Sequence, residues 1–329
     1  NAWTHRNRKK NSTMAMTTDN KDIMYMHRCL QLAEYGRYGA KPNPMVGAVI
    51  VAGDRIIGEG YHERCGQGHA EVNAFASVSP SDEKLLPAAT MYVSLEPCAH
   101  YGKTPPCARL IIEKGIKNVV VGCIDSFSKV SGKGIAMMRE AGINVKVGIL
   151  AEKCRWLNRR FFTFNERKRP YITLKWAQTV NGFIDNEGTS LSISTTFTRQ
   201  LVHKLRAEND AILVGRTTYL RDHPKLDVRH WTGESPYSYI LSHCNTIDNI
   251  INDCYENNRQ SLLVEGGLAT LNSFIDADLW DEIRVETAPF TVANGTEAPR
   301  IPSSASLNDK VEFDNNIIAL YSHNPRLAK

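Results

Sequence analysis

The segment that decides the fold runs from residue 69 to residue 107 and reads HAEVNAFASVSPSDEKLLPAATMYVSLEPCAHYGKTPPC. It opens on His69 and holds two cysteines, Cys98 and Cys107. One imidazole and two thiolates form a ligand set for tetrahedral zinc that leaves the fourth position open. A water in that position is typical of catalytic rather than structural zinc. The segment therefore predicts a catalytic zinc centre.

A carboxylate accompanies the predicted ligands, because Glu71 follows His69 by two residues. Zinc deaminases use such a carboxylate to move protons while a zinc-activated water attacks an amino-bearing ring carbon. His-x-Glu alone is common, but its combination with Pro97-Cys98 one hairpin later is rare. Eight residues separate the two cysteines, where the commonest deaminase pattern has two. One alternative stays open: Cys65 or His100 could supply a fourth ligand and close the site as a structural zinc.

The bulk composition indicates a globular protein of two domains, with 329 residues, 42% hydrophobic and 23% charged. The net charge of +5 is spread out except at His5–Lys10, so we expect no nucleic-acid partner. No apolar run reaches the roughly 18 residues of a membrane span, and the start does not resemble a signal peptide. The eight cysteines do not form a disulfide framework, so we expect reduced thiols in a cytoplasmic enzyme.

Apolar periodicity divides the chain into a disordered tail over residues 1–20, one α/β domain over 21–168 and a second over 169–329. The break falls at Pro170, after a basic helix predicted for 154–169. In the first domain, strands alternate with helices, which predicts a three-layer α/β fold. Its predicted strands are 46–51, 55–60, 90–95, 119–123 and 145–149, and its predicted helices are 22–38, 69–77, 107–114 and 135–141. The second domain has predicted strands at 171–177, 211–214, 262–264, 282–286, 310–313 and 317–321, with helices at 198–207 and after Gly267.

Longer motifs extend the pattern through both domains, from about residue 22 to residue 325. In the first domain they are Pro42-Asn43-Pro44-x-Val46-Gly47, Gly60-Tyr61-His62, His69-Ala70-Glu71 and the segment from Glu96 to Cys107. In the second they are Thr173-Leu174-Lys175, Val202-His203-x-Leu205-Arg206-Ala207, residues 210–215, residues 222–229 and Val264-Glu265-Gly266-Gly267. In this order they closely resemble the bifunctional deaminase/reductase family of riboflavin biosynthesis, which also has the eight-residue cysteine spacing.

The resemblance implies a cytidine-deaminase-like domain followed by a dihydrofolate-reductase-like domain, and two reactions. The first domain would hydrolyse an exocyclic amine from 2,5-diamino-6-(5-phosphoribosylamino)pyrimidin-4-one. The second would reduce the ribosyl group to ribityl with NADPH. The substrate is thus a small pyrimidine ribosyl phosphate, and we expect a homo-oligomer, either a dimer or a tetramer. Family positions for the deaminase pocket fall on Asn43, His62, Lys103 and Asp125. A phosphate ester needs a cationic donor such as Lys103.

In the second domain, the family's substrate positions match Lys175, Arg206, Leu226, Arg229 and Glu265, and its cofactor positions match Thr218, Asp222, Gly266 and Gly267. Arginine suits a phosphate because its guanidinium offers two parallel donors. The glycine pair opens a predicted helix, where backbone amides can bind phosphate oxygens.

Four departures from the family pattern bear on function. Phe127 replaces a polar pocket residue, Asn181 an aspartate and Ser192 a tryptophan, and the segment 239–258 is short. The short segment leaves an alternative, a monofunctional deaminase whose second domain is only a dimerisation scaffold. A zinc-stabilised nucleic-acid module and a deaminase of free cytidine nucleotides or tRNA are weaker alternatives. A nucleic-acid module would need a basic face interleaved with aromatic residues, which this sequence does not show. The fused second domain and the wide cysteine spacing of this chain argue against a deaminase of cytidine nucleotides or tRNA.

Overall fold

A sheet of mixed strand direction forms from the apolar runs of the first 150 residues. The computed structural model describes residues 18–99, 105–126 and 131–323. Within these ranges the first sheet has five strands in the order β2-β1-β3-β4-β5. The pairings β1–β2 and β1–β3 are antiparallel, whereas β3–β4 and β4–β5 are parallel. The strands are β1 (Gly47–Ala52), β2 (Arg55–Tyr61), β3 (Thr90–Leu95), β4 (Asn118–Cys123) and β5 (Asn144–Val147).

Helices cover both faces of this sheet, because successive side chains of its strands point to opposite sides. On β1, Ala48 and Ile50 join the core beneath α2, α3 and α4. Val49 and Val51 join the core beneath α1, α5 and α6. The predicted three-layer fold is therefore confirmed. The helices are α1 (Thr18–Glu34), α2 (Ala70–Ala76), α3 (Cys107–Glu113), α4 (Lys133–Glu140), α5 (Ala151–Leu157) and α6 (Arg159–Arg167).

Two sequence expectations for this half need correction. Helix α1 begins at Thr18, so residues 18–20 are helical rather than part of a disordered tail, and residues 1–17 lie outside the described residues. The early start is favoured by Asp19, which lies in the first turn and pairs with Lys146 at 2.7 Å. The basic helix predicted for 154–169 is two helices broken at Asn158, whose amide bonds both backbone groups of Met45 at 2.8 Å.

A second sheet forms from residue 171 onward, and within the described ranges it has seven strands in the order β10-β9-β11-β6-β12-β14-β13. The first five in that order run parallel, and the last two are antiparallel additions. Its strands are β6 (Tyr171–Thr179), β9 (Ala211–Gly215), β10 (Tyr237–Leu241), β11 (Ser261–Val264), β12 (Glu282–Ala288), β13 (Ala305–Phe313) and β14 (Asn316–His323). A small ribbon pairs β7 (Asp185–Asn186) with β8 (Thr189–Ser190).

The short segment at 239–258 holds β10 at the sheet edge, a tight turn at residues 242–245 and a helix. The sequence prediction missed this strand and the helices on either side of it. A strand at the edge of a sheet buries fewer side chains, so its apolar pattern is weak. In β10, Tyr237 and Ser238 are exposed, and Tyr239 is buried. The helices of this half are α7 (Thr196–Ala207), α8 (Arg216–Asp222), α9 (Ile247–Glu256) and α10 (Leu268–Asp276). Among the described residues, no helix combines the length and apolarity needed to cross a membrane.

Candidate active sites

Three predicted zinc ligands meet at the ends of two helices and a strand. His69 is the N-cap of α2, Cys107 is the first residue of α3, and Cys98 follows β3. The Nδ1 atom of His69 lies 3.6 Å from Sγ of Cys98 and 3.3 Å from Sγ of Cys107. All three ligand atoms lie within 4.8 Å of one another. Bonds of about 2.0–2.3 Å to one tetrahedral ion place ligands at such separations, so the donor set fits zinc.

The electrostatics of Cys98 also suit a metal ligand. Hydrogen bonding from Cys107 lowers the pKa of the Cys98 thiol to about 4, with further donation from His69. The backbone amide of Cys107 contributes at 3.3 Å. A thiolate is the form that binds metal. Cys65 is exposed and is not part of the cluster, whereas His100 lies outside the described residues.

Glu71 lies in the first turn of α2 and is only 3% exposed. Burial raises the pKa of its carboxyl group, and the nearby Cys98 thiolate adds to the effect. A carboxyl group with a raised pKa can both accept and return a proton near neutral pH. Glu71 therefore has the properties of a general acid and base beside the metal ligands.

A cavity of about 390 Å³ opens beside the metal ligands and is lined by three of the predicted pocket residues, Asn43, His62 and Asp125. The Asn43 amide lies 3.1 Å from Nε2 of His62, whose Nδ1 lies 3.1 Å from the carbonyl of Gly68. Burial lowers the pKa of His62, so the ring is neutral at pH 7. Lys103 and Phe127 lie outside the described residues.

Sequence reasoning missed the role of Glu96, the buried residue that follows β3. Its carboxylate accepts hydrogen bonds from the backbone amides of Asp125 at 3.3 Å, Gly132 at 2.8 Å and Gly134 at 3.0 Å. It thereby fixes the segment after β4 that carries Asp125 into the pocket. Its position in the Glu96-Pro97-Cys98 motif was the available signal.

A second cavity, of about 380 Å³, lies over the carboxyl ends of β6 and β11 and brings together Lys175, Arg206, Leu226, Arg229 and Glu265. The guanidinium of Arg206 binds both carboxylate oxygens of Glu265, at 2.9 and 2.8 Å. It also donates to the carbonyl of Asp227 at 3.2 Å. The donor pair that the sequence suggested for a phosphate is thus already engaged with Glu265.

Lys175 is a further cation that lines this cavity. Burial lowers the pKa of its ammonium group, against the attraction of Glu265 and Glu286. Among the described residues its Nζ has no hydrogen-bond partner. A desolvated ammonium group that makes no hydrogen bond, despite carboxylates nearby, is typical of a group that awaits an anionic or hydroxylated ligand.

Two other predicted substrate residues, Leu226 and Arg229, lie in the loop between α8 and β10. Leu226 is 4% exposed and has φ of 54°, a left-handed conformation that leucine rarely adopts. Such outliers cluster at binding sites. Arg229 pairs with Asp227 and keeps 43% of its side chain exposed. Both therefore lie where a ligand could contact them.

Three of the predicted cofactor residues, Thr218, Asp222 and Gly267, line two neighbouring cavities. Gly267 is the N-cap of the nine-residue helix α10 and lines a cavity of about 1030 Å³ with Thr218. A Cβ at Gly267 would lie 2.8 Å from the Thr218 hydroxyl, so a larger residue there would require Thr218 to move. Thr218 also lines the substrate cavity, as does Asp222. The Gly266 carbonyl accepts a hydrogen bond from Gly215 at 3.0 Å and joins the ends of β9 and β11.

The larger cavity suits a dinucleotide. Arg216 and Arg221 line it beside the amino end of α10, and Arg221 pairs with Asp222 at 2.7 Å. Cationic side chains and free backbone amides at a helix start are the groups that bind pyrophosphate. The residues present therefore fit NADPH.

Glu286 binds Ser194, a residue that lines the substrate cavity, and sequence reasoning missed this contact. It accepts hydrogen bonds from Ser194 at 2.8 Å and Asn316 at 2.7 Å. Burial raises the pKa of Glu286, but the hydrogen bonds from Thr198, Asn316 and Ser194 outweigh burial and leave the pKa below its usual 4.5.

We expect Glu286 to make stability depend on pH. A carboxyl group whose pKa is depressed by folding stabilises the native state above its unfolded pKa. That contribution is lost as pH falls below about 4.5 and through the lower folded pKa. Thermal unfolding from pH 7 to pH 3 should show a shallower fall in Tm for Glu286→Gln than for the wild type. Parallel curves would contradict this expectation.

Comparisons with known proteins agree with the two-site arrangement. Residues 19–123 match the family model of the cytidine and deoxycytidylate deaminase zinc-binding region. Residues 170–251 and 245–316 match the RibD C-terminal domain. The chain is 38% identical over 319 residues to the riboflavin biosynthesis protein RibD of Aquifex aeolicus, covering 83% of this chain and 88% of that protein. The chain belongs to the RibD family.

Two further RibD relatives define the extent of the likeness. The RibD protein of Synechocystis sp. is 43% identical over 223 residues, which is 67% of this chain and 59% of that protein. A crystal structure of a diaminohydroxyphosphoribosylaminopyrimidine deaminase/5-amino-6-(5-phosphoribosylamino)uracil reductase from Thermotoga maritima superposes with a TM-score of 0.85 at 32% identity. It covers 93% of this chain and 100% of that one.

Membership of the RibD family makes the chain an enzyme of riboflavin biosynthesis with a deaminase and a reductase domain. The predicted fold class, a deaminase-like domain followed by a reductase-like domain, is confirmed. The two matches to the RibD C-terminal model, 170–251 and 245–316, overlap within the short segment at 239–258, and the comparisons give no indication of a degenerate reductase.

Proposed function

We propose that this RibD chain deaminates 2,5-diamino-6-(5-phosphoribosylamino)pyrimidin-4-one and then reduces the ribosyl group of the product with NADPH. The observation that carries the proposal is the pairing of a His/Cys/Cys cluster beside a buried carboxylate with a separate cavity lined by Lys175, Arg206 and Glu265. The names of the relatives give the substrate and the two reactions, and the chemistry of the residues supports them.

In the first domain, His69, Cys98 and Cys107 would hold the zinc ion. When bound there, zinc would lower the pKa of a coordinated water to about 7 and so supply a nucleophile at neutral pH. Glu71 accepts a proton at its carboxylate and returns it to the departing ammonia. The neutral His62 ring and the Asn43 amide hold the pyrimidine through hydrogen bonds, and Asp125 closes the other side of the pocket.

In the second domain, Thr218, Gly266 and Gly267 would hold NADPH, which would supply hydride. Lys175 binds the oxygens of the ribosyl group or its phosphate, with Arg229 and Leu226 on the wall of the same cavity. The Arg206–Glu265 pair presents a fixed polar surface to the substrate, and Asp222 lines the cavity near Thr218. We propose Lys103 as the phosphate contact of the deaminase from its place in the motif. The cytoplasmic location and the dimeric or tetrameric state remain predictions.

A coupled assay with chelation tests the function. Supplied with the diaminopyrimidine, the enzyme should release ammonia, and addition of NADPH should give the ribityl product by mass. Treatment with a zinc chelator should abolish ammonia release while reduction of the pre-deaminated substrate continues, because the predicted metal ligands belong to one domain only. Restored ammonia release on adding zinc is the control. Ammonia release that survives complete removal of zinc, or an absent NADPH-dependent mass change, would contradict the proposal.

A further inference from the structure

The deaminase cavity has a wall that the first domain does not supply. Besides the residues around the metal ligands, it is lined by Phe164 and Asn165 of α6 and by Asn258 and Gln260. The last two precede β11, in the second sheet. The cavity that holds the predicted pyrimidine site is therefore bounded on one side by the reductase half of the chain.

Gln260 makes a direct bond across this boundary. Its Nε2 donates to the carbonyl of Pro42 at 2.7 Å. The preceding residue, Lys41, is held from the same side, with Nζ 3.1 Å from the Asp210 carboxylate and 3.0 Å from the Glu208 carbonyl. Both residues immediately before Asn43 are thus fixed by the reductase domain.

Asp210 makes this arrangement rigid. Its Oδ2 accepts hydrogen bonds from the backbone amide of Gln260 at 2.8 Å and from the hydroxyl of Ser261 at 3.1 Å. Its Oδ1 pairs with Lys41. One carboxylate therefore ties the start of β11 to the loop before Asn43, and Gln260 has little freedom to move away from Pro42.

The position of Asn43 matters because its amide continues a chain of hydrogen bonds toward the metal ligands. Asn43 lies 3.1 Å from His62, which bonds the carbonyl of Gly68, and Gly68 precedes His69. The rings of His62 and His69 meet edge to face at 5.3 Å. A shift of Pro42 would therefore displace Asn43 first and then, through their hydrogen bond, His62.

We propose that Gln260 is a positioning residue of the deaminase, which holds Pro42 so that Asn43 is oriented for the pyrimidine ring. This inference rests on the proposed deaminase function. It makes the reductase domain part of the deaminase site, in addition to its own reaction. Because Asn43 binds substrate and transition state alike, loss of its orientation raises KM more than it lowers kcat.

The test compares full-length variants in the ammonia assay. Gln260→Met keeps the side-chain length and removes the donor, so KM should rise about fivefold, the effect of one hydrogen bond, with little change in kcat. Gln260→Lys restores a donor and should recover most of the loss. In an Asn43→Ala background, Gln260→Met should have no further effect, because the residue it positions is gone. Reduction of the pre-deaminated substrate serves as a check that the fold is retained.

Trp231→Phe is the matched control. It removes another bond between the domains, from Nε1 of Trp231 to the Tyr38 hydroxyl at 3.1 Å, which does not involve Pro42 or Asn43. It should leave the deaminase KM unchanged. An equal rise in KM for both variants would show that only domain docking matters, and additive effects of Gln260→Met and Asn43→Ala would also overturn the inference. Failure of the proposed function is distinct, since the wild type would then release no ammonia.

Discussion

Replacing Glu71 by glutamine is expected to lower the deaminase kcat by about 10³-fold, within the range for loss of a general acid and base. Glutamine keeps the size of the side chain and its place in α2 but cannot accept a proton. The metal ligands are other residues, so zinc content should stay near one ion per chain. Ammonia release, metal analysis and NADPH oxidation with the pre-deaminated substrate would be measured on the same preparation.

Glu113→Gln is a suitable control for this prediction. Glu113 lies at the end of α3, on a helix that begins with a metal ligand, but its side chain is 56% exposed and pairs with Arg109 at 2.8 Å. The same change of charge there should leave kcat unaltered. If Glu71→Gln retained turnover close to that of the wild type, proton transfer would have to be assigned to another group.

Replacing Lys175 by methionine is expected to lower kcat/KM of the reductase by about 10- to 150-fold, the value of a charge-assisted hydrogen bond. The physical reason is that this ammonium group is buried in the cavity and lacks a partner among the described residues. Stability should change little, with Tm within about 2–4 °C of the wild type. The substitution removes the cost of desolvating the ammonium group and also its attraction to Glu265 and Glu286, and these two effects oppose each other.

Lys204→Met provides the comparison for the Lys175 variant. Lys204 lies on α7, its side chain is 42% exposed, and it forms an i,i+4 pair with Glu208 at 3.8 Å. Its loss should affect neither reaction. If the Tm of the Lys175→Met protein fell by much more than about 2–4 °C, the loss of activity would indicate a structural role for Lys175 and not ligand binding.

The sequence was most informative where one chemical need fixes several residues. A catalytic zinc site needs three protein donors around one open position, and the sequence indicated His69, Cys98 and Cys107, which the structure brings together. Glu71 was indicated by its place beside His69, as in zinc deaminases. Buried strands such as β3 were also predicted at their observed bounds, because both faces of a central strand must be apolar.

The sequence was least informative where a side chain acts through a distant segment. Glu96 is buried because it accepts backbone bonds from residues about 30 to 40 positions later, and no local periodicity signals such contacts. The engagement of Arg206 with Glu265 likewise joins residues 59 positions apart. Edge strand β10 escaped because one-sided burial leaves a weak apolar pattern.

Strand β11 has a consequence for attempts to divide this chain into two independent catalysts. Its four residues, Ser261–Val264, run from Gln260 at the deaminase cavity to Glu265 at the reductase cavity. Five steps of about 3.3 Å separate Gln260 from Glu265, so these two lining residues lie only about 17 Å apart along the strand. A chain truncated after residue 168 would lack Asn258 and Gln260, and its deaminase cavity would be open to solvent on that side. Low ammonia release by such a truncated chain would reflect the open cavity and would not indicate a defect in the zinc site.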